Sequence, residues 1–137
     1  MTTHATGTFT MKTWDEKTWE GKPLKDAPGA KLTHAVITQT FQGDIEGEGT
    51  SQILMMYPDD KSASFTGLQR VVGRIGKRSG SFVLQVDGTY ADSIAKATWV
   101  VMPGSGTEEL RGLRGKGDYV SKHGDSNVPI TLDYDFG

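Results

Sequence analysis

Cysteine is absent from the 137 residues, which excludes disulfide frameworks, thiolate metal sites and a cysteine nucleophile. An excess of one charge is absent too. Lys and Arg number 15 against 17 Asp and Glu, and a net charge of -2 gives no general draw toward nucleic acid or anionic lipid. No apolar run approaches the roughly 18 residues of a membrane span, and the start Met1-Thr2-Thr3-His4-Ala5 lacks the apolar stretch of a secretory leader. A cytoplasmic protein with neither a membrane nor a nucleic-acid partner is expected. Leu, Ile, Val and Phe together supply only 28 residues. That is lean for helices packed on both faces of a sheet, and it suits a sheet with one buried and one wet face.

What is present points to β-structure. Glycine numbers 18 and threonine 16, and Thr with Val and Ile favours pleated surfaces because branching at Cβ restricts χ1. The apolar period is 2 almost throughout, which predicts eight strands near 4–15, 31–42, 45–57, 62–75, 79–91, 94–103, 115–123 and 128–136. Gly43-Asp44, Pro58-Asp59-Asp60-Lys61, Gly76-Lys77-Arg78-Ser79, Asp92-Ser93 and Gly124-Asp125-Ser126-Asn127 read as tight hairpin connections. Residues 16–30 form a longer polar excursion. Residues 104–114 have room for one short helix, with Thr107 placed to cap it and Glu108 and Glu109 in its first turn. Without repeats or a boundary, residues 1–137 read as one domain. Successive hairpins of this length predict an eight-stranded antiparallel up-and-down barrel, which leaves no open edge.

Even-length turns fix which residues share a face. They pair Gln39 with Glu48, Ile37 with Thr50, Leu54 with Phe65, Thr50 with Gln69, Gln69 with Val86, Val71 with Leu84, Val86 with Trp99, Leu84 with Val101 and Tyr119 with Leu132. The face so collected holds Ile37, Phe41, Leu54, Met56, Phe65, Val71, Phe82, Leu84, Val86, Tyr90, Trp99, Val101, Tyr119, Leu132, Tyr134 and Phe136, joined by Phe9 and Met11. This is the expected interior. The opposite face is mostly polar.

Several segments resemble a known bacterial family. They are Thr38-Gln39-Thr40-Phe41 with Gly43-Asp44-Ile45-Glu46-Gly47-Glu48-Gly49, then Gly80-Ser81-Phe82-Val83-Leu84-Gln85, and Pro103-Gly104-Ser105-Gly106-Thr107. With His4-Ala5, Gly7, Phe9 and Trp14-Asp15-Glu16, they resemble the domain-of-unknown-function 3224 family over nearly the whole chain. That family is similar in architecture to plant allene oxide cyclase and dirigent proteins. The resemblance implies an allene oxide cyclase-like eight-stranded barrel with an internal cavity, and no established activity. The family pattern usually has Glu at position 69 and often His at position 86, where this chain has Gln69 and Val86, so the resemblance implies that part of any chemistry carried there is absent.

The expected interior contains polar groups: Gln39, Glu48, Gln52 and Gln69, close in level to Thr50, Trp99 and Tyr119. A carboxylate inside an apolar barrel loses hydration and its pKa should rise, which would suit Glu48 to acid–base work; Glu48 could equally be a hydrogen-bonded structural carboxylate or lie near a barrel mouth. Buried amides need partners or water, so Gln39, Gln52 and Gln69 argue for a cavity. Small residues Ala35, Gly67, Gly88, Ala95 and Ala97 fall at one level and predict its place. Gln39, Glu48, Gln52, Gln69, Trp99 and Tyr119 are thus the candidate ligand-binding set, with Glu48 the candidate catalytic residue. His4, His34 and His123 are scattered, without metal-ligand spacing, so neither metal nor cofactor is expected. Gly104-Ser105-Gly106-Thr107 lacks the ending and context of a phosphate loop. Ile53, Met55, Tyr57, Val72, Val83, Val100 and Met102 fall on the expected outer face as an apolar group, which predicts a homodimer. Three functions remain open: a binder of a small apolar or amphipathic molecule, an isomerase or cyclase using Glu48, and a solid barrel acting through its surface.

Overall fold

A computed structural model describes residues 2–122 and 124–136. The strands are β1 (Thr3–Thr18), β2 (Lys31–Gly43), β3 (Ile45–Asp59), β4 (Ser62–Ile75), β5 (Arg78–Ala91), β6 (Ile94–Val101), β7 (Leu113–Lys122) and β8 (Val128–Phe136). Each pairs antiparallel with the next, and β1 pairs with β8, so the sheet closes into an eight-stranded barrel. The expected short helix is a single 3-10 turn, Glu108–Leu110. Thr107 does not cap it. Its hydroxyl instead accepts the Ser81 amide at 3.0 Å, which straps residues 102–107 along β5.

Alternation sorts the side chains as expected on β2, β4, β5 and β6. Val86 faces Trp99 and Leu84 faces Val101. On β4 and β5 the pairing slides by two: Gln69 faces Leu84 and Val71 faces Phe82. On β7 and β8, Tyr119 faces Ile130 rather than Leu132. Slides of two keep every face.

β3 departs from expectation. Gln39 faces Gly49 and Ile37 faces Ser51, one residue away from the predicted partners. Gly43, at φ 111°, continues pairing with Gly7 of β1, and the chain turns on Asp44, whose amide donates to the Thr6 carbonyl. At the far end of β3 the register shifts between Met56 and Asp59. Pro58 there has no N–H to give to a ladder, and beyond the shift Met55 rather than Leu54 faces Phe65, and Ser51 rather than Thr50 faces Gln69. Because side-chain direction has a period of two, one slip inverts the whole strand. Leu54 and Met56 are therefore 43% and 45% exposed on the outside, while Ile53 and Met55 are buried and Tyr57 is half-buried.

β1 carries a second irregularity. Its register with β2 shifts between Met11 and Thr13, leaving Lys12 as the extra residue of a bulge. Before it Ala5 and Phe9 are buried; after it Trp14, Glu16 and Thr18 share the inner face, set opposite Ile37, Ala35 and Thr33. Pairing with β8 covers only Thr3–Phe9, so the second half of β1 has no β8 partner.

One half of the barrel is solid. Ile45, Val71, Ile75, Phe82, Leu84, Trp99, Val101, Leu110, Leu113 and Leu132 fill it, each contributing roughly 1.5–3 kcal/mol on burial. Among the described residues no helix is long and apolar enough to cross a membrane.

Candidate functional site

Above this plug the inward side chains stop meeting. They enclose a cavity of about 610 Å³, within the 300–1,000 Å³ typical of small-molecule sites. Its walls are mainly apolar: Ile37, Ile53, Met55, Phe65, Tyr90 and Ala95. Its rim is formed by Met11 and Trp14 of β1 with Lys122 and residues 124–126 of the β7–β8 connection. The opening lies there because β1 has outrun its pairing with β8.

Four aromatic rings stack at the base of the cavity, Phe9 and Tyr119 lining it and Phe41 and Trp99 beneath. Phe9 meets Tyr119 edge-on at 5.2 Å, Tyr119 meets Trp99 at 5.2 Å, and Phe41 lies 5.8 Å from Phe9 and 6.4 Å from Trp99. Trp99 is 1% exposed and donates its indole N–H to the Thr131 carbonyl at 2.9 Å. It is inward as expected, yet it lies under the cavity and does not line it. Its cross-strand partner is Gly117, where a Cβ would come within 2.8 Å of the indole nitrogen. Tyr119 does line the cavity, and burial pushes its phenol up to about 12.

Gln39 and Gln69 are both buried and both line the cavity, with Ser51 between them. Ser51 donates to Gln39 Oε1 at 3.3 Å. The amides close over Gly49, where a Cβ would stand 2.7 Å from the Phe41 ring and 3.3 Å from both Gln39 Oε1 and Gln69 Nε2.

Glu48 and Gln52 do not belong to this group. Both lie on the outward face of β3, in a shallow depression with Leu54, Leu68 and Val72. Glu48 is paired with Lys12 at 2.9 Å, and the Lys12 ammonium holds its carboxyl below the usual range, opposite to the rise expected of an interior acid. The apolar outer group loses Ile53, Met55 and Tyr57 to the interior for the same reason. Val72 and Val100 remain exposed, and Val83 and Met102 are half-buried. Of the small residues expected to mark the void, Ala95 lines it, whereas Gly88 is covered by the Phe65 ring, 2.5 Å from where a Cβ would stand. His4 pairs with Asp133 on the surface, His34 lies on the outer face, half-buried, and His123 lies outside the described residues.

The interior does hold a carboxylate, Glu16, which the sequence reading missed. Its Oε2 accepts the Thr33 and Tyr57 hydroxyls at 2.6 Å each, and its Oε1 accepts the Trp14 indole N–H at 3.0 Å. Burial first, and then this carboxylate, raise the Tyr57 phenol well above its ordinary value. Glu16 thus fixes Trp14 and Tyr57 at the cavity wall and does not itself line it. The available signal was the run Lys12-Thr13-Trp14-Asp15-Glu16, where strict alternation fails.

These features define a closed antiparallel barrel, solid at one end and hollow at the other, with a polar-floored lumen. Residues 5–134 match the family described as "Protein of unknown function (DUF3224)", and the chain belongs to it. It is also similar to a crystal structure of a protein of unknown function from the DUF3224 family of Shewanella oneidensis MR-1. The TM-score is 0.77 at 25% identity, covering 100% of this chain and 98% of that one. Among curated proteins none matches.

Proposed function

We propose that the protein binds a small apolar or amphipathic molecule in its lumen. The observation that carries this is the 610 Å³ cavity, with apolar walls and Gln39, Gln69 and Tyr119 at its base. Close-packed interiors leave few voids larger than water, so a space of this size opposes the reading of a solid barrel acting through its surface alone. The cyclase-type reading loses its acid: Glu48 lies on the outside in an ion pair, and Glu16 already accepts three donors.

The test is to fill the space. Ala95 sits on the wall, and Ala95→Phe projects a ring into the lumen while leaving the plug untouched. Binding of a neutral naphthylamine dye, followed by its fluorescence, is expected to weaken at least about tenfold, the effect of losing a pocket's worth of apolar contact. Equal dye affinity in both proteins, with the variant folded, would rule the lumen out as the site.

A further inference from the structure

On each of six strands one side chain is the deepest to reach the cavity: Phe9, Gln39, Ser51, Gln69, Val86 and Tyr119. The next inward residues below Gln39, Gln69 and Val86 are Phe41, Val71 and Leu84, all buried in the plug. Polarity in the lumen therefore runs against the usual order. Gln39, Ser51, Gln69 and the Tyr119 hydroxyl sit at the bottom beside Phe9 and Val86, resting on hydrocarbon, and the apolar walls stand above them.

The hydrogen-bonding capacity of that floor is largely unspent. Gln39 Oε1 is taken by Ser51, which leaves both N–H groups of Gln39 Nε2 to donate. Among the described residues the Gln69 amide and the Tyr119 hydroxyl have no side-chain hydrogen bond, yet no buried polar side-chain atom is sealed without a partner. Both groups therefore open onto the cavity. Donors so placed want an acceptor, and the Gln69 Oε1 beside them can in turn take an N–H or O–H from the same head group. Among the described residues no Lys, Arg or His lies on the floor, and the lining cation Lys122 is at the rim. An anion at the base would be stripped of water with no counter-charge, a much larger cost than that of a neutral oxygen.

We infer that the lumen takes its ligand polar end first: an uncharged molecule whose carbonyl, carboxamide or hydroxyl oxygen accepts from Gln39, Gln69 and Tyr119, with its apolar body against Ile37, Ile53, Met55 and Phe65. This rests on the lumen-binding reading above and assigns the head-group class and orientation within it.

The experiment displaces N-phenyl-1-naphthylamine from the full chain with octanamide, 1-octanol, octanoate and octane, near pH 8, where octanoate is ionised. Octanamide is expected to bind at least about tenfold more tightly than octanoate, and Gln69→Met, which keeps volume, is expected to cost octanamide about five- to tenfold and octane nothing. Octanoate binding most tightly, with that advantage lost in Lys122→Met, would place the head at the rim and overturn the inference. So would equal affinities for all four probes with Gln69→Met silent; the dye would still bind, and the lumen-binding reading would stand. If neither dye nor octane binds, both fall. Should Gln69→Met fail to fold, the ranking in the unsubstituted protein decides alone.

Discussion

At the scale of single residues, no buried polar side-chain atom among the described residues is sealed without a hydrogen-bond partner. Trp99 is held by one carbonyl and permitted by one glycine. Glu16 is the inverse case, a carboxylate brought inside and met by three donors. The two buried phenols carry a pH dependence. Tyr57 and Tyr119 both have pKa values raised in the folded protein, Tyr119 to about 12, from an ordinary value near 10. Folding therefore favours their neutral forms. That contribution is complete below about pH 10 and is lost as pH rises toward 12. Urea midpoints measured from about pH 9 to 12 are expected to fall, and to fall less steeply in Tyr119→Phe; an unchanged slope in that variant would contradict the assignment to Tyr119.

At the scale of elements, turns and bulges decide what alternation alone leaves open. Gln39, Gln69, Trp99 and Tyr119 were legible as interior because their strands alternate cleanly, and the closed eight-stranded meander was legible from the spacing of its turns. Glu48, Gln52 and the outward placement of Ile53, Met55 and Tyr57 were misread for one reason. β3 slips by one residue at Asp44 and again at Pro58, and the two slips cancel in β4, so the neighbours stayed consistent while β3 alone was inverted. Both of its faces carry apolar groups, Ile53-Met55-Tyr57 on one and Leu54-Met56 on the other, so hydrophobic content could not separate them. Glu46 and Glu48 on the even side could have, since two carboxylates in a dry interior cost far more than two exposed methionines or leucines. The β5–β6 hairpin supplies a stability prediction. Asp92 and Ser93 sit at φ 53° and 64°, the two left-handed positions of a type I′ turn, which Asn-Gly fills with least strain. Replacing the pair by Asn-Gly is expected to stabilise the protein by about 1 kcal/mol, read as a higher urea midpoint at unchanged slope. No gain would mean the turn is not strained as described.

At the scale of the whole molecule, the barrel is divided across its axis into a packed half and an open half. Most large side chains with almost no exposure, from Ile45 and Ile75 to Leu110, Leu113 and Leu132, lie in the packed half, and opening free energy follows such contacts. Amides of β5 and β6 flanking Leu84 and Val101 are expected to exchange with solvent most slowly, and those around Tyr57, Tyr90 and Ile94 many-fold faster. Hydrogen exchange read residue by residue checks this, and uniform protection along the strands would refute the division. Closure joins β1 to β8 across almost the full length of the chain, so formation of this seam waits on contacts remote in sequence, and folding in milliseconds to seconds is the scale set by such topology.

Among the described residues the plug beneath the aromatic rings closes one end of the barrel. A molecule seated in such a blind shaft must depart by the route it arrived, and a newcomer cannot push it through from behind. If the lumen holds a ligand as proposed, its exchange would be paced by spontaneous escape, however abundant the rival outside.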